Sequence, residues 1–167
     1  FLDADDTMTE NRVAVLKEKL KYDVLVSNDL NLIDESGDIF EEKIWKERLS
    51  EGYTFDYSFL EDKNIVGLGN TAFRKELLES TLTFSPKPLI VDWFIFYQLL
   101  KLSGCKCSFT SDCQTNYRQH DKNAAGIREL SADRLNYVIK AVNHQNEAIN
   151  EIHMGKTSIT HAKFNRK

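Results

Sequence analysis

The sequence has few of the features that mark nucleic-acid-binding or membrane-spanning proteins. The 167 residues carry a formal net charge of −4. Because no lysine- and arginine-rich stretch is interleaved with aromatic residues, we do not expect a general nucleic-acid binder. The longest apolar run, at 93–100, is far too short to span a bilayer. The first residues lack the basic and apolar regions of a secretory signal, so we expect no signal peptide.

Cysteine is also scarce. The chain has three cysteines, Cys105, Cys107 and Cys113, and they form no CxxC pair. No second cluster completes a zinc site, and an odd number does not suit a set of disulfides. We therefore expect reduced, structural thiols in a cytoplasmic protein.

Helix-type and strand-type patterns alternate along the chain, which predicts a mixed α/β fold. Short strands are predicted at 1–2, 22–28, 30–34, 65–68, 105–109 and 113–117. A capping box at 7–10 predicts a helix to about residue 21, and further helices are predicted at 73–80 and 92–102. The mixed segment 39–62 is expected to pack inward through Trp45, Leu49, Phe55, Phe59 and Leu60. One face of a long final helix carries Leu135, Val138, Ile139, Val142, Ile149 and Ile152.

The first eight residues, FLDADDTM, place three carboxylates in one predicted loop. Asp3, Asp5 and Asp6 would repel one another unless a positive charge lies nearby, and a divalent cation is one solution. Hard oxygen ligands suit Mg²⁺ or Mn²⁺, and such ions commonly bridge to substrate phosphates. The alternative is that the carboxylates are solvated or stabilise the start of the following helix.

Two families share this kind of acidic opening. The stretch 3–7, DADDT, formally fits the DxDxT signature of haloacid-dehalogenase-like phosphatases. That resemblance implies that Asp3 is a nucleophile and Asp5 an acid/base. Such a phosphatase also needs a late acidic pair after another strand, which the later segments do not supply convincingly, so this family is kept as the alternative.

The second resemblance covers nearly the whole chain. The segments FLDADDTMTENRV, YDVLVSNDLNLIDESGDIF, GLGNTAFRKELLE, VDWFIFYQLL and NYRQHDKNAAG resemble, in the same order, five segments of the family-2 glycosyltransferases. The resemblance implies a GT-A-like fold, which is a Rossmann-like nucleotide-diphospho-sugar transferase fold with a mixed sheet and flanking helices. Five segments in the correct order are stronger support than one DxD loop.

This resemblance implies the residues of the donor site. In such transferases the DxD aspartates hold the metal and the nucleotide-sugar. Asp5 is therefore the first choice for the metal, and Asp3 for the metal or the ribose. Asp6 is expected to support these ligands or to touch the donor sugar. His120 becomes a metal or diphosphate contact and Arg118 a phosphate partner, although a lone histidine is usually structural or on the surface.

The resemblance also implies the residues of the acceptor site. Asp92 is similar to the base of the family's ED motif, which takes a proton from the acceptor hydroxyl. Val91 stands before it where the family has Glu, and a helix N-cap is the alternative role for Asp92. Gly69 and Asn70 are expected to border the acceptor or donor sugar, or else to form a strand-to-helix turn. Trp93 is a sugar-platform candidate, with a core position as the alternative.

The expected protein is an inverting glycosyltransferase that uses Mg²⁺ or Mn²⁺. Its expected partners are a nucleotide-sugar donor and a glycan or lipid-linked acceptor. Bacterial surface-polysaccharide assembly, the setting that the family most often implies, puts it in the cytoplasm or at the inner face of the membrane. A basic tail at 155–167 allows weak contact with anionic lipid headgroups. A remnant or interaction domain without activity is a third alternative.

In this family, the strands that hold the nucleotide base precede the DxD loop. The chain is therefore expected to be a single partial domain whose N-terminal nucleotide-binding half is absent. Its parts would be a metal and acceptor half at 1–129, a C-terminal helix at 130–154 and the tail at 155–167. Such a fragment is expected to be inactive. It would leave an open sheet edge or apolar face, which favours a homodimer.

Overall fold

The computed structural model describes residues 1–79, 87–120 and 132–153, so the predicted tail at 155–167 lies outside the described residues. The strands are β1 (Thr7–Met8), β2 (Leu25–Ile33), β3 (Ile39–Glu41), β4 (Thr54–Phe55), β5 (Thr71–Phe73) and β6 (Cys107–Arg118). The helices are α1 (Arg12–Lys19), α2 (Lys75–Glu79), α3 (Val91–Ser103) and α4 (Ala132–His153). Short 3₁₀ helices lie at Tyr57–Leu60 and Leu68–Asn70.

β2 and β6 pair in parallel at the centre of a six-stranded mixed sheet. β3 and β5 pair antiparallel with the other edge of β2. β1 and β4 pair antiparallel with the other edge of β6. The mixed sheet with flanking helices confirms the predicted α/β class and is compatible with a Rossmann-like fold. The finer GT-A assignment stays a prediction.

The core forms where α3 packs on the sheet. Nine of the 13 residues of α3 are apolar, so most of the helix is buried, and Phe96, Tyr97 and Leu99 are fully buried. The apolar residues of 39–62 join the same cluster, as predicted. α3 ends at Gly104, whose φ of 65° suits glycine and whose N–H donates to the carbonyl of Leu100. This end lies within one residue of the end predicted for the helix at 92–102.

Several predicted strand boundaries are wrong. Residues 1–2 and 65–68 are not in strands. The pairs predicted at 22–28 with 30–34 and at 105–109 with 113–117 each form one continuous strand, β2 and β6. The reason is that the two strands stay paired across a register shift between Asn28 and Asp29. Such a bulge accommodates the polar residues that had suggested a break in each strand.

The predicted start of the first helix is also wrong. Residues 7–8 of the expected capping box lie in β1, and α1 begins only at Arg12. The apolar Val13 is 60% exposed, whereas the charged Arg12 is only 5% exposed. The guanidinium of Arg12 donates to Asn28 and Gly69, and these hydrogen bonds set which side of the helix faces inward.

The final helix contacts the core mainly through its second half. Ala141, Ala148 and Ile149 are buried, whereas Leu135 and Ile139 in the first turns are about half exposed. The apolar face predicted from the sequence is therefore covered only in part. Neither α4 nor any other helix among the described residues is long and apolar enough to cross a membrane.

An apolar groove of about 730 Å³ lies between α1 and β5. Leu16, Leu20, Ala72 and Phe73 line it, and Phe1 is largely exposed at its edge. An exposed apolar patch can mark an interaction surface. The uncovered apolar face expected from a missing N-terminal half and the homodimer both stay predictions.

The fold makes a prediction for the three thiols. Cys107 and Cys113 are fully buried and Cys105 is half-buried. Burial raises the pKa of Cys113 to about 11 and also raises that of Cys107. Because the thiolate is the reactive form, we expect one thiol per chain to react rapidly with Ellman's reagent at pH 8, and the other two only after unfolding. Cys105→Ser should abolish the rapid phase, and a rapid phase that persists in this variant would contradict the packing of β6.

Candidate functional site

The acidic loop at 3–6 is a turn held against the end of β6. The N–H of Asp6 donates to the carbonyl of Asp3 at 3.2 Å and closes the turn. Asp6 itself is buried, at 8% exposed, and its Oδ1 accepts a hydrogen bond of 2.8 Å from the backbone N–H of Arg118. The loop conformation therefore depends on where β6 ends.

The carboxylates of this loop act on one another electrostatically. Burial raises the pKa of Asp6 from 3.8 to about 6, against the lowering effect of the Arg118 hydrogen bond. The negative charges of Asp5 and Asp3 raise this pKa further. Three acidic groups in one turn, one of them buried, form a site that favours a positively charged partner.

Asp5 forms a pair with His120. The Nε2 atom of His120 lies 3.1 Å from Oδ2 of Asp5, and both side chains remain partly accessible, at 28% and 48% of their surface. His120 lies two residues after Arg118, the last residue of β6. The same strand end therefore holds Asp6 through its backbone and brings an imidazole to Asp5.

Asp92 lies in the first turn of α3. The helix begins at Val91 with Ile90 as its N-cap, so the predicted cap at Asp92 is wrong by two positions. The Asp92 carboxylate accepts a hydrogen bond of 2.9 Å from the backbone N–H of Trp93, and the nearby backbone N–H of Leu68 also lowers its pKa. Burial raises its pKa above 3.8 despite these bonds, and the charge of Asp3 adds to the effect. An oriented carboxylate with a raised pKa is suited to accept a proton.

A turn at residues 67–70, called the 67–70 turn below, lies between these two acidic groups. Oδ1 of Asn70 accepts from the N–H of Gly67 at 2.6 Å, and its Nδ2 donates to the carbonyls of Asn28 and Ile65. Asn70 is therefore committed to holding the turn, which supports the strand-to-helix-turn alternative for this residue.

Two glycines let the carboxylates approach the backbone of the 67–70 turn. A Cβ on Gly69 would lie 3.7 Å from Oδ2 of Asp6 and 3.8 Å from Oδ2 of Asp3. A Cβ on Gly67 would lie only 3.2 Å from Oδ2 of Asp92. The turn thus has acidic groups of the loop on one side and Asp92 on the other.

One cavity of about 590 Å³ connects these groups. Its polar lining contains the predicted residues Asp3, Asp5, Asp6, Gly69, Asn70, Asp92 and His120. Its remaining walls carry apolar and aromatic side chains, among them Leu30, Trp45, Ile65, Val66, Leu89, Tyr117 and Tyr137. Residues that are far apart in the sequence therefore meet in one cavity whose volume suits a small-molecule ligand.

Two predicted site residues do not line this cavity. Trp93 is 2% exposed and its Nε1 donates to the carbonyl of Leu60, so the sugar-platform prediction is wrong and the core alternative is correct. The guanidinium of Arg118 donates to the carbonyls of Asp5, Asp34 and Glu35. These hydrogen bonds tie the acidic loop to the β2–β3 turn, and the predicted contact of Arg118 with phosphate stays a prediction.

The sequence analysis missed Thr115 and Arg12. Thr115 lines the cavity from β6, and Arg12 donates to the carbonyl of Gly69 at 2.7 Å. Arg12 belongs to a short helix rich in charged residues, and nothing in the local sequence separates it from its exposed neighbours. Arg12 can be recognised only from the sheet pairing, because this pairing places its partner Asn28 behind the 67–70 turn.

The fit to a divalent cation can be judged from the donor groups. Within the described ranges, no three histidine, cysteine or acidic side chains converge closely enough to enclose a metal ion. Asp3, Asp5 and His120 do not form such a group in the described part of the chain, and their assignment as metal ligands stays a prediction. Mg²⁺ is usually held by one or two carboxylates together with substrate phosphates. The Asp5–His120 pair fits that partial, shared type of coordination.

No protein-family model matches the chain, and a search of curated proteins finds no match either. The resemblance to family-2 glycosyltransferases therefore stays a prediction.

The two glycines of the 67–70 turn provide a matched pair of variants. In Gly67→Ala, the new methyl group would press on Asp92 and Asn70 at 3.2 Å, and we expect a loss of about 1–2 kcal/mol in the free energy of unfolding. In Gly69→Ala, the distances of 3.7 and 3.8 Å are ordinary contacts, so the loss should be smaller. Urea denaturation of both variants measures the difference. Equal losses would contradict the close approach of Asp92 to Gly67.

Proposed function

We propose that the chain is the metal- and acceptor-binding part of an inverting glycosyltransferase that takes its sugar from a nucleotide-sugar. The observation that carries the proposal is the single cavity that contains both the Asp92 carboxylate and the acidic loop with His120. Glycosyl transfer needs both features, because one group must take a proton from the acceptor while another region binds the departing diphosphate.

Asp92 would be the catalytic base. The backbone N–H of Trp93 bonds to its carboxylate, and burial raises its pKa, which strengthens it as a proton acceptor. The acceptor hydroxyl would give its proton to Asp92 as its oxygen bonds to the anomeric carbon of the donor sugar. The bond from that carbon to the diphosphate oxygen breaks, and its electron pair leaves with the diphosphate. Attack from the opposite face inverts the configuration.

The acidic loop would form the donor end of the cavity. Asp5 and His120 are partly accessible and lie 3.1 Å apart, which suits them to hold Mg²⁺ or Mn²⁺. Such an ion would supply positive charge to the leaving diphosphate. Asp6 is held by Arg118 N–H and fixes the loop, and Asp3, beside Gly69, is available to donor hydroxyls.

The walls of the cavity are compatible with a sugar. Asn64, Tyr117 and Tyr137 line it together with Trp45, and amide, hydroxyl and aromatic groups are the usual partners of carbohydrate hydroxyls and ring faces. We propose that the acceptor is a glycan or lipid-linked sugar and that the reaction takes place in the cytoplasm, at the inner face of the membrane.

The base assignment predicts the effect of Asp92→Asn. Loss of the proton acceptor should lower kcat by about 10²- to 10⁴-fold and leave donor binding within about twofold. In the wild type, kcat/KM should rise with pH as Asp92 loses its proton, with a midpoint above the usual 3.8 because burial raises the pKa. The assay is release of nucleoside diphosphate from a panel of nucleotide-sugars, using the protein as its gene encodes it.

Two further variants separate this proposal from its alternatives. Asp62→Asn, at a side chain that is 73% exposed, is the matched control and should not change the rate. A haloacid-dehalogenase-like phosphatase would instead lose phosphate-ester hydrolysis in Asp3→Asn and keep it in Asp92→Asn. Full transfer activity in Asp92→Asn would overturn the base assignment.

The cation assignment makes a separate prediction. Asp5→Asn and His120→Gln should each raise the dissociation constant for Mn²⁺ by about tenfold or more, measured by electron paramagnetic resonance with pyrophosphate present. His144→Gln is the matched control, since its ring bonds to the carbonyl of Lys87 and does not line the cavity. Unchanged Mn²⁺ affinity in both cavity variants would exclude this pair as ligands.

A further inference from the structure

A closed ring of buried hydrogen bonds lies behind the 67–70 turn. Arg12 Nε donates to Oδ1 of Asn28 at 2.9 Å, and Asn28 Nδ2 donates to Oγ1 of Thr115 at 3.1 Å. Thr115 Oγ1 donates to the carbonyl of Gly69 at 2.9 Å, and Arg12 Nη2 donates to the same oxygen at 2.7 Å. The ring therefore joins α1, β2 and β6 at one carbonyl of the turn.

The ring is almost entirely shielded from water. Asn28 and Thr115 are 0% and 1% exposed, and Arg12 is 5% exposed. A satisfied polar network in a low-dielectric interior is rigid, because breaking any one bond leaves a buried group without a partner. The Gly69 carbonyl, which accepts two of these bonds, is therefore one of the best-held atoms of the cavity wall.

Arg12 is an unusual member of this ring. Its donors go to an amide oxygen, a backbone carbonyl and the sulfur of Met8, and in the described part of the chain no carboxylate forms an ion pair with it. Burial accordingly lowers its pKa. A buried cation without an ionic partner is costly. A smaller neutral residue would avoid that cost, but it could not bond to both Asn28 and Gly69.

The held carbonyl belongs to a turn that lies against Asp92. A Cβ on Gly67, two residues before Gly69, would lie 3.2 Å from Oδ2 of Asp92. The backbone N–H of Leu68, between these glycines, lowers the pKa of Asp92. We therefore expect a displacement of the Gly69 peptide to shift this three-residue segment relative to Asp92.

We propose that Arg12 and Thr115 are positioning residues that fix the 67–70 turn and thereby aim the Asp92 carboxylate into the cavity. The inference rests on the proposed function only for the role of Asp92 as the base. The position of the turn itself is a property of the folded chain and can be measured without any substrate.

Hydrogen exchange of individual amides, read by NMR, tests the inference directly. Arg12→Met and Thr115→Val each remove a donor to Gly69, and Arg12→Lys keeps the charge but loses the guanidinium fork. In all three variants, the amides of Leu68 and Asn70 should exchange about tenfold faster or more, while the amides of α3 change no more than in the controls. If Arg12→Met does not fold, the nearly isosteric Thr115→Val decides the question.

The chain offers a matched control for each substitution. Thr110→Val removes a buried hydroxyl from the same strand, where it bonds to Glu51. Arg74→Met removes a guanidinium that bonds to the carbonyls of Leu20 and Lys21. Neither residue lines the cavity. We expect both control variants to exchange at Leu68 and Asn70 at the wild-type rate.

Kinetics then separate positioning from general destabilisation. At a temperature where all variants are folded, Thr115→Val should lower kcat and leave the KM for the donor within about twofold. If the wild-type protein, as its gene encodes it, transfers no sugar, the proposed function fails while the exchange experiment still reports on the turn. Wild-type exchange at Leu68 and Asn70 in Arg12→Lys and Thr115→Val would overturn the positioning inference, whatever the activity.

Discussion

The parallel pairing of β2 and β6 is the constraint on which the candidate site depends. β6 runs along β2 from Ser108 to Arg118, and its end holds Asp6 by a backbone hydrogen bond and brings His120 to Asp5. β2 supplies Asn28, whose carbonyl and side chain hold the 67–70 turn from behind. The register of these two strands therefore determines the distance between the acidic loop and Asp92.

The site contains carboxylates and a guanidinium group that are buried at an electrostatic cost. Asp6 and Asp92 are carboxylates whose pKa burial raises, and Asp3 raises both further. Arg12 is a buried cation that bonds to neutral oxygens on the far side of Gly69. A polar and charged arrangement of this kind costs stability, and such costs are typical of functional sites. The apolar core around α3 provides the compensating stabilisation.

The fold class and much of the candidate site could be predicted from the sequence, for different reasons. The α/β class and the end of α3 at Gly104 follow from local patterns. The meeting of Asp5, Asp92 and His120 in one cavity was expected only from the family resemblance, since no local rule relates residues so far apart. The joined strands and the burial of Arg12 were not predictable, because both depend on the register shift opposite Asn28. The role of Trp93 was ambiguous, because an aromatic residue in an apolar helix can either pack in the core or stack on a sugar.

The central claim is that a cation and a diphosphate bind at the acidic loop within reach of Asp92. Paramagnetic broadening by Mn²⁺ tests it most directly, on ¹⁵N-labelled chain with methylene diphosphonate as the diphosphate probe. The account predicts that amides at 3–6 and 120 broaden first, followed by those at 67–69 and 92–93, and that Asp5→Asn removes the effect. Broadening centred on the exposed carboxylates at 35–42, or no broadening at the cavity at saturating Mn²⁺, would contradict it.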